Sequence, residues 1–297
     1  MDIALLLKKV YWHFFKTMPC EMILKEKWDE YRKIEKRYWK NTFDISSMNV
    51  ANSNIIPNKN IFVYWNQGFE NAPLLVQKCY QQLQNFIPNG WTLITLTENN
   101  IQEYIRMPDF LQEMLLNESI YVAHYSDILR TALLYFYGGI WIDSTCFLTQ
   151  QVPKTVLEDE LFMFSTRDII PYSPMLFENW FIRANRHHYV IGRMLENTLY
   201  YFKTSKNPKA IYFVYFYIMS SLYQYNTKAR AMMDDICYCS NHDALLIANH
   251  YGFGAKYTQR LWNQIMNKSF VQKLTYKYDK VLETSGEDIL LKHILKK

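Results

Sequence analysis

Ser126-Asp127-Ile128-Leu129-Arg130, followed after seven intervening residues by Gly138-Gly139-Ile140-Trp141-Ile142-Asp143-Ser144-Thr145, decides how this 297-residue chain is read. The pattern predicts a helix from roughly Ser119 to Tyr137, stopped by the two glycines, and then a short buried strand at Ile140-Trp141-Ile142. On that helix Asp127 and Arg130 lie three apart and share a face. From Asp127 to Tyr137 the helix descends about 15 Å at about 1.5 Å per residue. The glycines reverse the chain, and from Gly139 to Asp143 a strand climbs about 13 Å at about 3.3 Å per residue. Asp143 therefore returns to the level of Asp127 and Arg130. It also falls at the carboxyl end of a buried strand, where open α/β sheets place their ligands.

Working outward, strands and helices alternate. Ile61–Trp65 reads as a strand ended by Asn66, Gln67 and Gly68. Pro73 opens a helix through about Phe86, and Trp91–Thr97 alternates like a strand. Short helices follow near Ile101 and Phe110, and Leu161–Ser165 is another strand. Such alternation predicts an α/β domain with a mostly parallel sheet. Beyond Asn185 the reading is mainly helical, over about 188–203, 209–224, 228–236, 241–249 and 286–296. Asn41–Asn60, rich in Asn and Ser with Pro57, reads as a linker. Before it, Ile3, Leu6, Leu7, Val10 and Phe14 recur at helical spacing among Lys8, Lys9 and Lys16. The expected organisation is a helical N-terminal extension over 1–50 and one domain over 51–297, mainly helical from about 186.

Composition narrows the classes. Apolar residues make up 49% and charged residues 21%, which excludes a mostly disordered chain. With 24 Tyr against 8 Gly and 9 Pro, the chain is neither collagen-like nor low-complexity. The net charge of +5 is concentrated at the two ends. A nucleic-acid binder would carry a basic stripe on its folded domain. Basic ends suit peripheral contact of residues 1–40 with an anionic membrane, or simply a solvated surface. No nucleic-acid partner is expected. The five cysteines contain no CxxC pair, which argues against a zinc site and for a reducing compartment. The apolar run Ile3–Leu7 is too short for a secretory signal, and Asp2 precedes it. Ala210–Thr227 carries no charge, yet Ser220, Ser221, Gln224, Asn226 and its tyrosines mark it as a buried aromatic helix rather than a span.

Two carboxylates and a guanidinium at the rim of a sheet suggest chemistry. The carboxylates repel each other unless a cation or a hydroxyl-rich ligand joins them. A sugar offers hydroxyl donors, and a diphosphate brings a divalent cation that prefers oxygen ligands. Arg130 could neutralise Asp127 or hold sugar or phosphate oxygens. The plainer reading is a surface salt bridge three residues apart and an unrelated turn aspartate.

The run SDILR…YFYGGIWIDST resembles the sugar-binding region of glycosyltransferases of the capsular polysaccharide synthesis type. These are relatives of glycosyltransferase family 32 and, more distantly, of the large clostridial glucosylating toxins. IFVYWNQGFENAP resembles that family's first strand and loop, and FENWFIRANR and SFVQKLTYKY also fit. The resemblance is best over about 58–185. It implies a GT-A-like, Rossmann-like glycosyltransferase domain with helical N- and C-terminal additions. It also implies transfer of a hexose, with retention, from a UDP-linked donor to a polysaccharide or lipid-linked glycan in capsule or exopolysaccharide synthesis. The place would be the cytoplasm, on the inner face of a bacterial membrane.

By the family pattern Asp127 and Arg130 grip the donor sugar, and Asp143 opens the Asp-x-Asp position. Tyr64 and Trp65 lie beside the base, and Asn179 sits before an apolar strand near the donor. A Mn2+ or Mg2+ ion is implied at Asp143 and Thr145. Thr145 replaces the second Asp, and a hydroxyl is a weaker ligand for a hard cation than a carboxylate. Asp243, His242 and His250 are further candidate ligands. Tyr121, His124 and Tyr125 could line the site, with His124 placed to pair with Asp127. His187 and His188 are adjacent and would face different ways on a helix. The missing second carboxylate also motivates another reading, a non-catalytic nucleotide-sugar or glycan-binding subunit of a capsule assembly complex. A metal-dependent phosphodiesterase would call for a denser His/Asp cluster.

Overall fold

The computed structural model describes residues 20–46, 48, 51, 54–167, 173–278, 281 and 288–296. The amphipathic pattern read over residues 3–16 lies outside them.

The strands are β1 (Asn60–Tyr64), β2 (Thr92–Leu96), β3 (Gly139–Ile142), β4 (Cys146–Leu148), β5 (Leu161–Ser165), β6 (Phe177–Ala184) and β7 (Val271–Lys273). Five form one sheet in the order β2-β1-β3-β6-β5, and β4 pairs with β7 in a separate antiparallel ribbon. β1 pairs in parallel with both β2 and β3. After β1 the chain crosses to one side to make β2, then returns to the other side to make β3. The carboxyl ends of β1 and β3 thus flank a topological switch point, the usual position of a ligand crevice in an open α/β sheet.

β1 shows why the sequence folds this way. All five of its residues are buried. Ile61 and Val63 join one apolar cluster with Val76, Ile140, Ile142 and Phe181, while Phe62 joins the opposite cluster with Leu133, Trp141 and Ile182. A strand covered on both faces reads as a continuous apolar run rather than an alternating one.

The helix Val122–Tyr137 ends at Gly138, whose N–H donates to the Leu134 carbonyl at 2.9 Å. Gly138 has φ +68°, and Gly139 has φ +119°. A Cβ on Gly139 would stand 2.3 Å from the Asn60 carbonyl oxygen, so the close approach of β3 to β1 requires a glycine there. The same helix packs against the helices Tyr189–Thr204 and Val214–Tyr225 in the larger core.

Several elements differ from the sequence reading. The sheet is mostly parallel, but β6 runs antiparallel to both β3 and β5. Asn179 lies inside β6 rather than before a strand. The expected helix over 209–224 begins at Val214, where Val214, Tyr215, Tyr217 and Ile218 are buried. No helix among the described residues is long and apolar enough to cross a membrane. The predicted helix 241–249 is instead a short helix, Asn241–Ala244, and a π-helical turn, Leu246–Tyr251. The helix Gln259–Lys268 and the β4–β7 ribbon were not anticipated: the helix does carry apolar residues at helical spacing, Leu261, Trp262, Ile265 and Met266, whereas the ribbon's strands are only three residues each. In the segment read as a linker, Met48 is buried and Phe43 and Ile45 pack on the core. The helix Cys20–Ile34 reaches the same core through Tyr31, whose hydroxyl donates to Gln224 Oε1 at 2.8 Å.

Candidate active site

A cleft of about 680 Å³ opens at the carboxyl ends of β1 and β3. That is the size range of small-molecule sites. Tyr64, Trp65, Asp127, Arg130, Asp143 and Lys273 are among its lining.

The three charged side chains singled out in the sequence meet here. Arg130 sends Nη2 to Asp127 Oδ1 at 3.2 Å and Nη1 to Asp143 Oδ1 at 3.2 Å. The Arg130 and Asp127 side chains are only 6% and 11% exposed, which rules out the solvated surface bridge. The guanidinium is fixed on every side. Nη1 donates to the Asn179 carbonyl at 2.5 Å, Nε donates to the Ser126 carbonyl, and Cζ lies 5.0 Å from the centroid of the Trp141 ring. The Asn179 side chain donates through Nδ2 to Asp127 Oδ1 at 2.8 Å. Asp143 is held equally firmly. Its Oδ1 accepts from Trp141 Nε1 at 2.9 Å, and its backbone N–H donates to the Trp180 carbonyl at 2.8 Å.

A fourth charge completes the row. Lys273 Nζ lies 3.2 Å from Asp143 Oδ2 and donates to Thr145 Oγ1 at 2.5 Å. Two carboxyl groups and two cations thus alternate along one wall, in the order Asp127, Arg130, Asp143, Lys273.

Environment drives the two carboxyls apart. Burial works against ionised Asp143, but Arg130 and Lys273 outweigh it and hold its pKa below the usual range. Asp127 has Arg130 alone as a cation partner, so burial wins and its pKa is pushed up to about 7. The folded chain therefore keeps the Asp127 proton between about pH 4, where the unfolded acid loses it, and about pH 7. The folded state binds the extra proton across that window, so its stability falls as pH rises through it. An amide at the same position cannot ionise. Asp127→Asn should therefore gain stability over the wild type between pH 4 and 7, by no more than about 4 kcal/mol, and hold that gain above. Thermal melts at pH 4.5, 6 and 7.5 check this. A difference that stays flat with pH contradicts the assignment.

The other expected residues fall as follows. Tyr64 and Trp65 stand at the end of β1. The Tyr64 hydroxyl donates to Asn66 Oδ1 at 2.5 Å, and Trp65 meets Tyr276 edge-on at 5.5 Å. His124 lines the cleft, but its Nε2 contacts the Tyr212 carbonyl at 3.0 Å instead of pairing with Asp127. Tyr121 and Tyr125 are not part of the lining. His187 packs on Tyr135, near the opposite end of the Asp127 helix. His242 and His250 line a separate cavity of about 310 Å³, which shares Glu178 with the cleft as a common wall. His242 contacts Asp243 at 3.4 Å.

Asp143 and Thr145 do not fit a resident divalent cation. Both Asp143 oxygens face side-chain cations, and the Thr145 hydroxyl accepts from an ammonium. Among the described residues no three His, Cys, Asp or Glu side chains are grouped to hold a metal. Sequence reasoning missed Lys273, Glu178 and Tyr276. The one signal available for Lys273 and Tyr276 was the SFVQKLTYKY stretch that contains them.

A family model described as capsular polysaccharide synthesis protein matches residues 12–294. O-glycosyltransferase braB from Annulohypoxylon truncatum is 26% identical over 160 residues, 48% of this chain and 37% of that protein. O-glycosyltransferase PaGT from Phomopsis amygdali is 24% identical over 102 residues, 32% of this chain and 25% of that protein. Glycosyltransferase afumC from Aspergillus fumigatus is 26% identical over 147 residues, 43% of this chain and 36% of that protein. In each case the matched stretch spans well under half of the relative's length.

Proposed function

This chain belongs to the capsular polysaccharide synthesis protein family, and on that premise we propose that it is a retaining glycosyltransferase. It moves a hexose from a UDP-linked donor to a glycan or lipid-linked acceptor in capsule or exopolysaccharide synthesis. The sheet, with its crevice between β1 and β3, is read as a GT-A-like donor domain.

One observation carries the reading: Asp127, Arg130 and Asp143 converge in a cleft at the sheet's switch point. The Asp127 carboxyl there bonds the hydroxyls of the donor sugar, and Arg130 fixes both carboxyls. Trp65 and Tyr276 offer aromatic faces near the base, where stacking contributes about 1–3 kcal/mol. In the transfer the bond from the anomeric carbon to the diphosphate oxygen breaks, and its electron pair leaves with UDP. The acceptor hydroxyl oxygen bonds to that carbon from the same face, and its proton passes to the departing phosphate oxygen. Fixed cations near the leaving group stabilise the charge that develops there.

The test is incubation with a panel of UDP-hexoses and a lipid-linked glycan acceptor. The expected result is UDP release with a product of retained anomeric configuration by NMR. No release with any donor, or an inverted product, contradicts the proposal. Thr145 at the second acidic position favours one rival, a binding subunit. It would show tight nucleotide-sugar binding and no UDP release.

A further inference from the structure

We propose that Lys273 takes the place of the divalent cation in this cleft, its ammonium acting with the Arg130 guanidinium to neutralise the diphosphate of the donor. The inference rests on the glycosyltransferase reading above and adds to it a metal-free means of holding the leaving group.

The geometry points there by three routes. First, the fold delivers Lys273 to the Asp143 loop. β4 begins directly after that loop, and its Cys146 pairs with Lys273 of β7. The Leu274 N–H also donates to the Thr145 carbonyl at 2.9 Å. Lys273 is thereby stapled to the position where the family pattern expects the metal.

Second, the contacts of the ammonium match those of a small cation. It lies 3.2 Å from Asp143 Oδ2 and donates to Thr145 Oγ1, the two groups that the pattern would turn toward a metal. An ammonium has three donors and no acceptor. Two of its donors face these groups, and the third remains for a phosphate oxygen in the cleft, which Lys273 lines.

Third, the replacement at position 145 becomes intelligible. A carboxylate there would favour a divalent ion. A hydroxyl accepts from the ammonium without adding negative charge beside Asp143. A divalent ion placed among these groups would meet Lys273 on one side and Arg130 on the other, both of like charge. Asp143 is then a positioning residue that holds both cations, and Lys273 touches substrate.

Calorimetric titration with UDP and with uridine tests the proposal on the full chain. Wild-type affinity for UDP should agree within twofold in EDTA and in MnCl2. Lys273→Gln should weaken UDP at least tenfold while changing uridine less than twofold, since uridine lacks the phosphates. Lys273→Arg should recover most of the UDP affinity. A tenfold or greater loss of UDP binding in EDTA overturns the proposal, as does a folded Lys273→Gln that binds UDP like the wild type. The EDTA comparison needs no variant, so it decides even if Lys273→Gln does not fold. If the wild type binds neither UDP nor uridine with or without manganese, the nucleotide-sugar reading itself fails and carries the inference with it.

Discussion

Asp143→Ala should lower the rate of sugar transfer by about 10²- to 10³-fold while the chain still folds. That is the typical loss on removing one preorganised polar group from a reacting centre. Asp143 separates Arg130 from Lys273 and accepts from both, as well as from Trp141. Without its carboxylate the two cations repel across the gap and drift from their aligned positions. Displacements of about 1 Å at such a site cost on the order of 10²-fold. Folding should survive, because Arg130 keeps Asp127 and the Asn179 carbonyl, and Lys273 keeps Thr145. Steady-state kinetics beside a circular-dichroism melt separate the two effects. Transfer at the wild-type rate by a folded variant removes Asp143 from the mechanism.

The second large effect is on folding. Gly139→Ala should destabilise the chain by about 3–5 kcal/mol, at the upper end for single substitutions. The residue's φ of +119° is one that side-chain-bearing residues rarely adopt, and such strain alone costs about 1–3 kcal/mol. The added methyl would also stand 2.3 Å from the Asn60 carbonyl oxygen, a backbone atom that moves only if β1 moves. β1 and β3 are paired at that point through Ile61 and Ile140, so the clash opens the sheet beside the cleft. Gly90 is the internal control. It also has a positive φ, +78°, but nothing lies within 4 Å of a Cβ there. Gly90→Ala should cost only the backbone strain. Urea unfolding of the two variants gives the comparison, and equal midpoints contradict the packing argument.

The sequence was legible where chemistry and local geometry coincide. The apolar run before Gly138-Gly139, the glycines and the short strand after them are all local features. Together they are enough to bring Asp143 level with Asp127 and Arg130. β1 was legible because burial on both faces leaves an unbroken apolar run. Lys273 was not legible, because it enters the site on a three-residue strand, too short to show a period of two, from a distant part of the chain. Asn179 was placed before the strand, because FENWFIRA opens its strand at Phe177, three residues earlier than the apolar run Trp180-Phe181-Ile182 suggests. The partner of His124 is the carbonyl of Tyr212, in a turn before the Val214–Tyr225 helix. A choice between that carbonyl and Asp127 depends on tertiary packing, which spacing along one helix does not encode.

Everything proposed here requires that the cleft hold an activated sugar by its charged row. A thermal-shift titration of wild type and Asp143→Ala with UDP-hexoses measures that directly, since a ligand that binds only the folded state raises its apparent stability by mass action. The expected result is a dose-dependent rise in the wild-type melting temperature with at least one UDP-hexose, sharply reduced in Asp143→Ala. No rise with any UDP-hexose, or equal rises in both proteins, would contradict the account.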